Sequence, residues 1–148
     1  MATNPKAAFG LAKPPMSTVS ALVLQEVGVA MLEGALKYGR HNYRGTPVTA
    51  SIYYDGANRH LQAWWEGQDI DPASGLHHIT KAITSLVVLR DAMIIGTAVD
   101  DRPPSVPDYE AFVRGLTNNC AELYKRYGSV NPKHYTREAL DEKDATCG

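Results

Sequence analysis

Polar residues that recur on one side of apolar helices are the part of this sequence that could do chemistry. In segment 76–95, His78, Lys81 and Ser85 are spaced three and four residues apart, which places them on one face of a helix. His60 lies at the edge of another apolar helical stripe. Because a buried polar group without a partner costs about 1–3 kcal/mol, the spacing indicates a polar chamber between facing helices, a common place for metal and phosphate sites.

A second polar stripe runs along the first long apolar segment. Its members are spaced seven, four and three residues apart and carry both signs of charge: Glu26, Glu33, Lys37 and Arg40. Glu33 and Lys37 also fit an ordinary i,i+4 ion pair, which contributes about 0.2–0.5 kcal/mol. The stripe is therefore compatible with a ligand site and with a simple surface pair.

The other polar candidates also have ordinary structural explanations. His60 can be a hydrogen-bonded core histidine, His78 can cap the start of its helix, and Lys81 can extend to solvent. Asp55 and Arg59 are spaced i,i+4 on the opposite side of the helix from His60, which favours a surface salt bridge. Taken together, the stripe that contains His78 and Lys81 is the hardest to explain without a ligand.

Two further motifs favour plain structural roles. Trp64 and Trp65 are expected mainly in the core, although one of them could stack on a base. Asp69 and Asp71 resemble the start of a calcium-binding loop, but Pro72 and the lack of a glutamate at the end of the loop favour an ordinary turn.

The elements that must position these residues are helices. Ser17 or Thr18 can cap the first helix, and Gly39 and Gly67 are stop signals. The helix over 76–95 is apolar on nearly every side, which predicts a central helix buried all round, and no segment alternates long enough to predict a strand. We therefore predict an all-α bundle of about four helices. They cover 17–38, 48–66, 76–95 and 107–127.

The domain organisation is predicted from changes in composition. Residues 1–16 are rich in proline and alanine and indicate a flexible or extended arm. One helical domain is predicted over 17–128, and a charged tail over 129–148.

Composition excludes several classes of protein. Among the 148 residues, 15 are Lys or Arg and 16 are Asp or Glu, which argues against a protein that binds the DNA backbone. No apolar run is long and uncharged enough to predict a membrane span, and the first residues lack a signal pattern. Cys120 and Cys147 fit a reducing compartment. We therefore expect a cytoplasmic protein, in the host cytoplasm if it is viral.

Two segments resemble a known family. Segments 32–43 and 58–78 contain Lys-Tyr-Gly at 37–39, Arg-His at 59–60 and Asp-Pro-Ala-Ser-Gly at 71–75. In this order they resemble the phage dATP/dGTP diphosphohydrolases, a branch of the MazG-like all-α nucleotide pyrophosphohydrolases that includes enzymes of phages using 2-aminoadenine.

The resemblance implies a reaction, a cofactor and an assembly. It implies hydrolysis of dGTP, with GTP or dATP as alternatives, between the α- and β-phosphates to give dGMP and pyrophosphate. The dGMP would supply synthesis of the 2-aminoadenine nucleotide. A divalent cation is implied, and imidazole ligands would favour Mn²⁺ over Mg²⁺. Relatives associate, so a homodimer or homotetramer is expected.

The implied site residues fall into three groups. The inner metal-binding and catalytic set is expected to be Glu33, His60 and His78. Further carboxylate ligands are expected at Asp71 and Asp55. The phosphate-binding cations are expected to be Lys37, Arg59 and Lys81. Base-binding residues are expected at Asn42, Tyr43, Tyr38 and Trp64.

The chain also departs from the family pattern. The paired carboxylates of MazG relatives align with Ala57 and His60 and with His78 and Lys81, and none of these is acidic. The alternative function is a non-catalytic helical interaction module, whose polar stripes would be interhelical salt bridges.

Overall fold

The computed structural model describes residues 4–128 and 131–138, and most of them are helical. This confirms the all-α prediction. The chain divides into two compact units between Pro103 and Pro104, a boundary that falls within the predicted domain 17–128. Most of the predicted tail lies outside the described residues.

The first helix, α1, lies within the predicted arm. It spans Pro5–Leu11, where the sequence analysis expects an extended or flexible segment. Asn4 explains the difference, because its side chain accepts a hydrogen bond from the Lys6 amide at 3.0 Å and proline suits the first helical turn. The large side chains Phe9 and Leu11 of α1 are exposed.

The second helix, α2, spans Ala21–Tyr38. Its cap is Ser20, not the predicted Ser17 or Thr18, which lie in a preceding 3₁₀ turn. Three hydroxyl residues occur within four positions, so composition alone did not distinguish between them. The predicted stop at Gly39 is confirmed, since this residue adopts a φ of 95° that glycine tolerates best.

The next two helices pack against each other as an antiparallel hairpin and are joined by a polar loop. Helix α3 spans Ala50–Trp65 and α4 spans His78–Ile95. Short parallel strands flank the pair, β1 at Val48–Thr49 and β2 at Ala98–Val99. Two-residue strands are too short to produce an alternating pattern, which is why the sequence did not predict them.

A carboxylate that follows β2 bonds to the start of α3, at the same end of the hairpin as the two strands. Asp101 accepts hydrogen bonds from the backbone amide of Ser51, at 2.9 Å, and from its hydroxyl. The carboxylate thus caps the first turn of α3 from a position after β2. We call this contact the Asp101 clasp.

The core of the first unit is small. Tyr43, Val48 and Ala92 form its buried cluster, packed against neighbours that include Met31 and Val88. Buried alanines allow the helices to approach closely. These alanines are Ala30, Ala57 and Ala82.

Helix α4 contacts both α2 and α3, but the prediction that it is buried on all sides is wrong. Val87, Met93 and Ile94 are 41%, 48% and 66% exposed. Two neighbouring helices cover only part of a helix perimeter. The outward apolar face of α4 is therefore uncovered.

The predicted apolar stripe of α3 is also largely exposed. Only Ala57 is buried, while Tyr54 and Leu61 are exposed. The prediction that Trp64 and Trp65 lie mainly in the core is wrong, since they are 39% and 73% exposed. The small Ala57, rather than the aromatic residues, marks the packed face of α3.

The second unit contains helix α5, Tyr109–Tyr127. Asp108, with a φ of 52°, caps it by accepting a hydrogen bond from the Ala111 amide at 3.2 Å. Large apolar side chains of this helix, such as Phe112, are exposed. Within the described residues, no helix is both long and apolar enough to cross a membrane.

Candidate functional site

The first unit contains a cleft of about 440 Å³. Its walls come from α2, the segment after Gly39, Tyr53 of α3 and one face of α4. Six of the residues predicted for the site line this cleft: Glu33, Lys37, Lys81, Tyr38, Asn42 and Tyr43. The side chains of the two polar stripes thus meet, as the sequence predicts.

Two of the cations that line the cleft are bonded to one carboxylate. Glu33 accepts a hydrogen bond through Oε1 from Lys37, one turn further along α2, and through Oε2 from Lys81 of α4. The predicted Glu33–Lys37 pair is confirmed, and the Lys81 side chain is 18% exposed, so it does not extend freely to solvent. We call these three residues the Glu33 cluster.

Electrostatics keep this cluster charged. The hydrogen bonds from Lys37 and then from Lys81 lower the pKa of Glu33, although burial opposes them. The same contact raises the pKa of Lys37. Arg40 adds a further cation to the lining. Cations therefore outnumber the single carboxylate of the cleft wall, which favours binding of an anion.

The lining of the cleft also includes three tyrosines. Tyr38 is 71% exposed, whereas Tyr53 is partly buried and burial raises its pKa. Tyr43 is buried in the core, so its ring face is not free to stack on the base that it was expected to bind. Apolar Met31 and Val88 also line the cleft.

His41 also lines the cleft, and the sequence analysis missed it. Its backbone has a φ of 57°, an unusual value for a residue other than glycine. Its Nδ1 lies 3.2 Å from the Tyr43 hydroxyl. Left-handed backbone at residues other than glycine is found disproportionately at functional sites. The residue types around His41 do not predict this conformation. Tyr53 was missed as well, since no spacing rule links it to α2.

Two predicted ligands, His60 and His78, face each other behind the cleft. Their Nδ1 atoms are 2.8 Å apart, and Nε2 of His78 lies 3.2 Å from Oε1 of Gln68. Because Gln68 offers an oxygen, His78 donates from Nε2 and accepts through Nδ1, and His60 is the donor of the pair. We call this contact the histidine pair.

Burial favours the neutral form of His60 in the histidine pair. His78 is 5% exposed, and burial, followed by the proximity of His78 and Lys81, lowers the pKa of His60. His60 is hydrogen-bonded to His78, which agrees with the alternative that it is a structural histidine, but it is half-buried rather than in the core. The predicted capping role falls to His77, whose side chain accepts from the Ile79 amide at 3.1 Å.

The carboxylates predicted beside this set do not bond to it, although the charge of Asp71 acts on His60. Asp71 accepts from the Ser74 hydroxyl at 2.6 Å and from the Ala73 amide at 3.2 Å, and the Ser74 bond is the main cause of its lowered pKa. This supports the plain-turn interpretation of the loop. Asp55 is exposed on α3.

Arg59 does not form the surface salt bridge that was predicted. In the part of the chain that the structure describes, Asp55 and Arg59 are not paired. A β-carbon at Gly56 would lie 3.9 Å from both Nη2 of Arg59 and Oγ of Ser85. The guanidinium is therefore turned toward α4, outside the cleft lining. Trp64, predicted to bind the base, also lies outside it.

A family comparison agrees with these segments. Residues 3–102 match the profile of a family described as dATP/dGTP diphosphohydrolase, N-terminal. The chain belongs to this family. The matched segment ends next to the boundary between the two compact units. It includes every residue that lines the cleft.

A relative from Salmonella phage PMBT28, named dATP/dGTP diphosphohydrolase, is 29% identical over 134 residues. The alignment covers 90% of this chain and 41% of that protein. The chain thus spans about two fifths of the length of this family member. No solved structure matches the chain.

The metal ligands predicted for this chain do not come together. Across residues 4–128 and 131–138, no group of three or more His, Cys, Asp or Glu side chains is arranged to hold a metal ion. Glu33 is bonded to two lysines, Asp71 to its own turn, and the histidines to each other. The donor set therefore does not fit a metal centre held by these side chains.

Proposed function

We propose that this chain is a purine deoxynucleoside triphosphate pyrophosphohydrolase acting on dGTP, with release of dGMP and pyrophosphate. The observation that carries the proposal is a single cleft whose lining combines three cations with tyrosine and asparagine side chains. A nucleotide calls for the same combination, because its phosphates are anionic and its base is flat and apolar on both faces. Membership of the dATP/dGTP diphosphohydrolase family supports the substrate class.

The phosphates would bind at the Glu33 cluster. Lys37, Lys81 and Arg40 all line the cleft, and ammonium and guanidinium groups form charge-assisted hydrogen bonds with phosphate oxygens. Arg40 takes the place that the sequence analysis gave to Arg59. The predicted roles of the two lysines are kept.

The base would bind to the asparagine and tyrosine side chains of the lining. Asn42 is partly buried in the lining, and its carboxamide offers both a donor and an acceptor to a purine edge. The exposed ring of Tyr38 is available for stacking. Tyr43 would support His41 rather than stack, because its hydroxyl contacts the imidazole.

The proposed role of the product follows from the same substrate. We expect dGMP formed in a phage-infected cell to feed synthesis of the 2-aminoadenine nucleotide. Mg²⁺ and Mn²⁺ remain proposed cofactors of the reaction. Since the described side chains do not assemble a metal centre, no step is assigned to a protein-held ion.

Product analysis tests the proposal. The purified protein is incubated with dGTP in separate reactions containing Mg²⁺, Mn²⁺ or EDTA, and the nucleotides are separated by ion exchange. We expect dGMP and pyrophosphate in equal amounts in at least one metal-containing reaction. Formation of dGDP and phosphate would change the assigned bond, and absence of dGMP from every reaction would refute the activity.

The alternative of a non-catalytic interaction module has one observation in its favour. The outward face of α4, with Val87, Met93 and Ile94, is apolar and exposed, as binding surfaces often are. A second copy is the partner that we propose for this surface, giving a homodimer or homotetramer. A mass of one chain by light scattering would contradict the oligomer.

Thermal melts separate the enzyme from the module. Ligand at a hundredfold excess over its Kd stabilises the folded protein by about 2.7 kcal/mol. We expect dGTP to raise the Tm, whereas an interaction module without a nucleotide site would melt at the same temperature with and without it.

A further inference from the structure

The Glu33 cluster has the wrong partners for a metal site. Lys37 donates to Oε1 of Glu33 and Lys81 donates to Oε2, so a metal ion at this carboxylate would share its oxygens with two ammonium groups, whose positive charge opposes its binding. We propose that the cleft binds a triphosphate through its own ammonium groups, without a divalent cation held by the protein, and that Glu33 is a positioning residue for both lysines. The inference rests on the proposed function, because it takes this cleft as the triphosphate site.

Charge supports this assignment. Two ammonium groups carry the same total charge as one divalent cation, and Arg40 adds a third positive group to the same lining. Glu33 is the one carboxylate among the lining residues. Part of the lysine charge therefore stays available to an anion that enters the cleft.

Hydrogen-bonding capacity supports it as well. Each ammonium group has three donors, and the described contacts assign one from each lysine to Glu33. The remaining donors can bind phosphate oxygens. Because α2 and α4 each contribute one lysine to the same carboxylate, Glu33 fixes the separation of the two ammonium groups before any ligand arrives.

The histidine pair does not supply an alternative metal site. The Nδ1 atoms of His60 and His78 are joined at 2.8 Å, and Nε2 of His78 contacts Gln68. These contacts occupy three of the four ring nitrogens. Neither histidine lines the cleft.

Calorimetric titration of the full chain tests the proposal. Tripolyphosphate and dGTP are each titrated into the protein in EDTA and in excess Mg²⁺. We expect both ligands to bind in EDTA at least as tightly as in Mg²⁺, because Mg²⁺ neutralises phosphate charge that the lysines would otherwise contact. Binding that requires Mg²⁺ would overturn the inference.

Variants assign the binding to the Glu33 cluster. In EDTA, Lys81→Met is expected to weaken tripolyphosphate binding by about 10-fold or more, since a hydrogen bond to a charged group is lost. Lys37→Met, whose side chain is 54% exposed, gives the same test with little risk to folding. Arg90→Met is the matched control, because Arg90 is an exposed cation of α4 outside the cleft lining. An unchanged Kd in both lysine variants would also overturn the inference.

Failure of this inference differs from failure of the proposed function. Tripolyphosphate binding in EDTA without any dGMP formation refutes the hydrolase but supports the ammonium site. Formation of dGMP together with binding that needs Mg²⁺ supports the hydrolase and refutes the ammonium site. If neither ligand binds in either buffer, both proposals are wrong.

Discussion

Two of the polar contacts between α4 and its neighbours differ in how they use their hydrogen-bonding groups. The Glu33 cluster links α4 to α2 and lines the cleft, and its lysines keep free donors. The histidine pair links α4 to α3, and its nitrogens bond mainly within the protein. The first contact can therefore receive a ligand, whereas the second holds the helices together.

The difference shows why residue type alone misled the assignment of ligands. Histidine is a common metal ligand, yet His60 and His78 satisfy each other. Lysine is never a ligand while protonated, yet Lys81 is the charged residue of α4 that lines the cleft. The two roles differ in which partners the side chains contact, and not in side-chain chemistry alone.

The largest change in stability is expected from breaking the histidine pair. His60→Leu leaves Nδ1 of the buried His78 without its partner, and we expect a loss of about 1–3 kcal/mol in the free energy of unfolding. Urea denaturation measures it. In the double variant His60→Leu/His78→Leu both polar groups are gone, so the combined loss should be smaller than the sum of the single losses. Additive losses would show that the two rings are not coupled.

A smaller effect is expected from Glu33→Gln. The amide still accepts a hydrogen bond but removes the negative charge between two ammonium groups, and we expect a loss of about 1 kcal/mol in stability. Added tripolyphosphate should restore more stability to this variant than to the parent. Glu26→Gln is the control on the same helix, because an amide oxygen can still accept from the Thr80 hydroxyl. An equal loss in both variants would contradict a special role for Glu33.

The smallest effect concerns pH. Because the pKa of His60 lies below its ordinary value of 6.5 in the folded protein, the unfolded chain takes up the proton first as the pH falls. The contribution of neutral His60 to the free energy of unfolding is therefore complete above pH 6.5. It is lost as the pH drops toward the lowered pKa. The charged or titratable groups that act on His60 are His78, Lys81, Asp71 and Arg59.

Urea denaturation at about pH 7.5 and about pH 5.5, on either side of the ordinary histidine pKa, checks this expectation. The parent should be less stable at the lower pH, and His60→Leu should show a smaller difference between the two conditions. If both proteins respond equally, His60 is not the group that titrates.

Helices could be predicted from the sequence where local signals decide them. The stop at Gly39 and the helix over most of 76–95 follow from glycine and apolar spacing. Burial could not be predicted in the same way, because apolar residues such as Ile94 and Trp65 remain exposed. Spacing describes which residues share a face, but not whether another element covers that face.

The site could be predicted only to the extent that it follows from one helix at a time. The Glu33–Lys37 pair is separated by one helical turn and is visible in the sequence. The contact of Glu33 with Lys81 spans 48 positions and depends on how α2 packs on α4. The left-handed backbone at His41 depends on the turn after Gly39, for which residue types give no clear signal.

The Asp101 clasp sets a limit on how short a working fragment of this protein can be. A fragment that ends at residue 99 keeps both strands but lacks the carboxylate that caps Ser51. A fragment that ends at residue 103 keeps this cap, the cleft and nearly the whole family match. Truncation experiments should therefore cut after the clasp, since the last helical residue of α4 does not mark the end of the first unit.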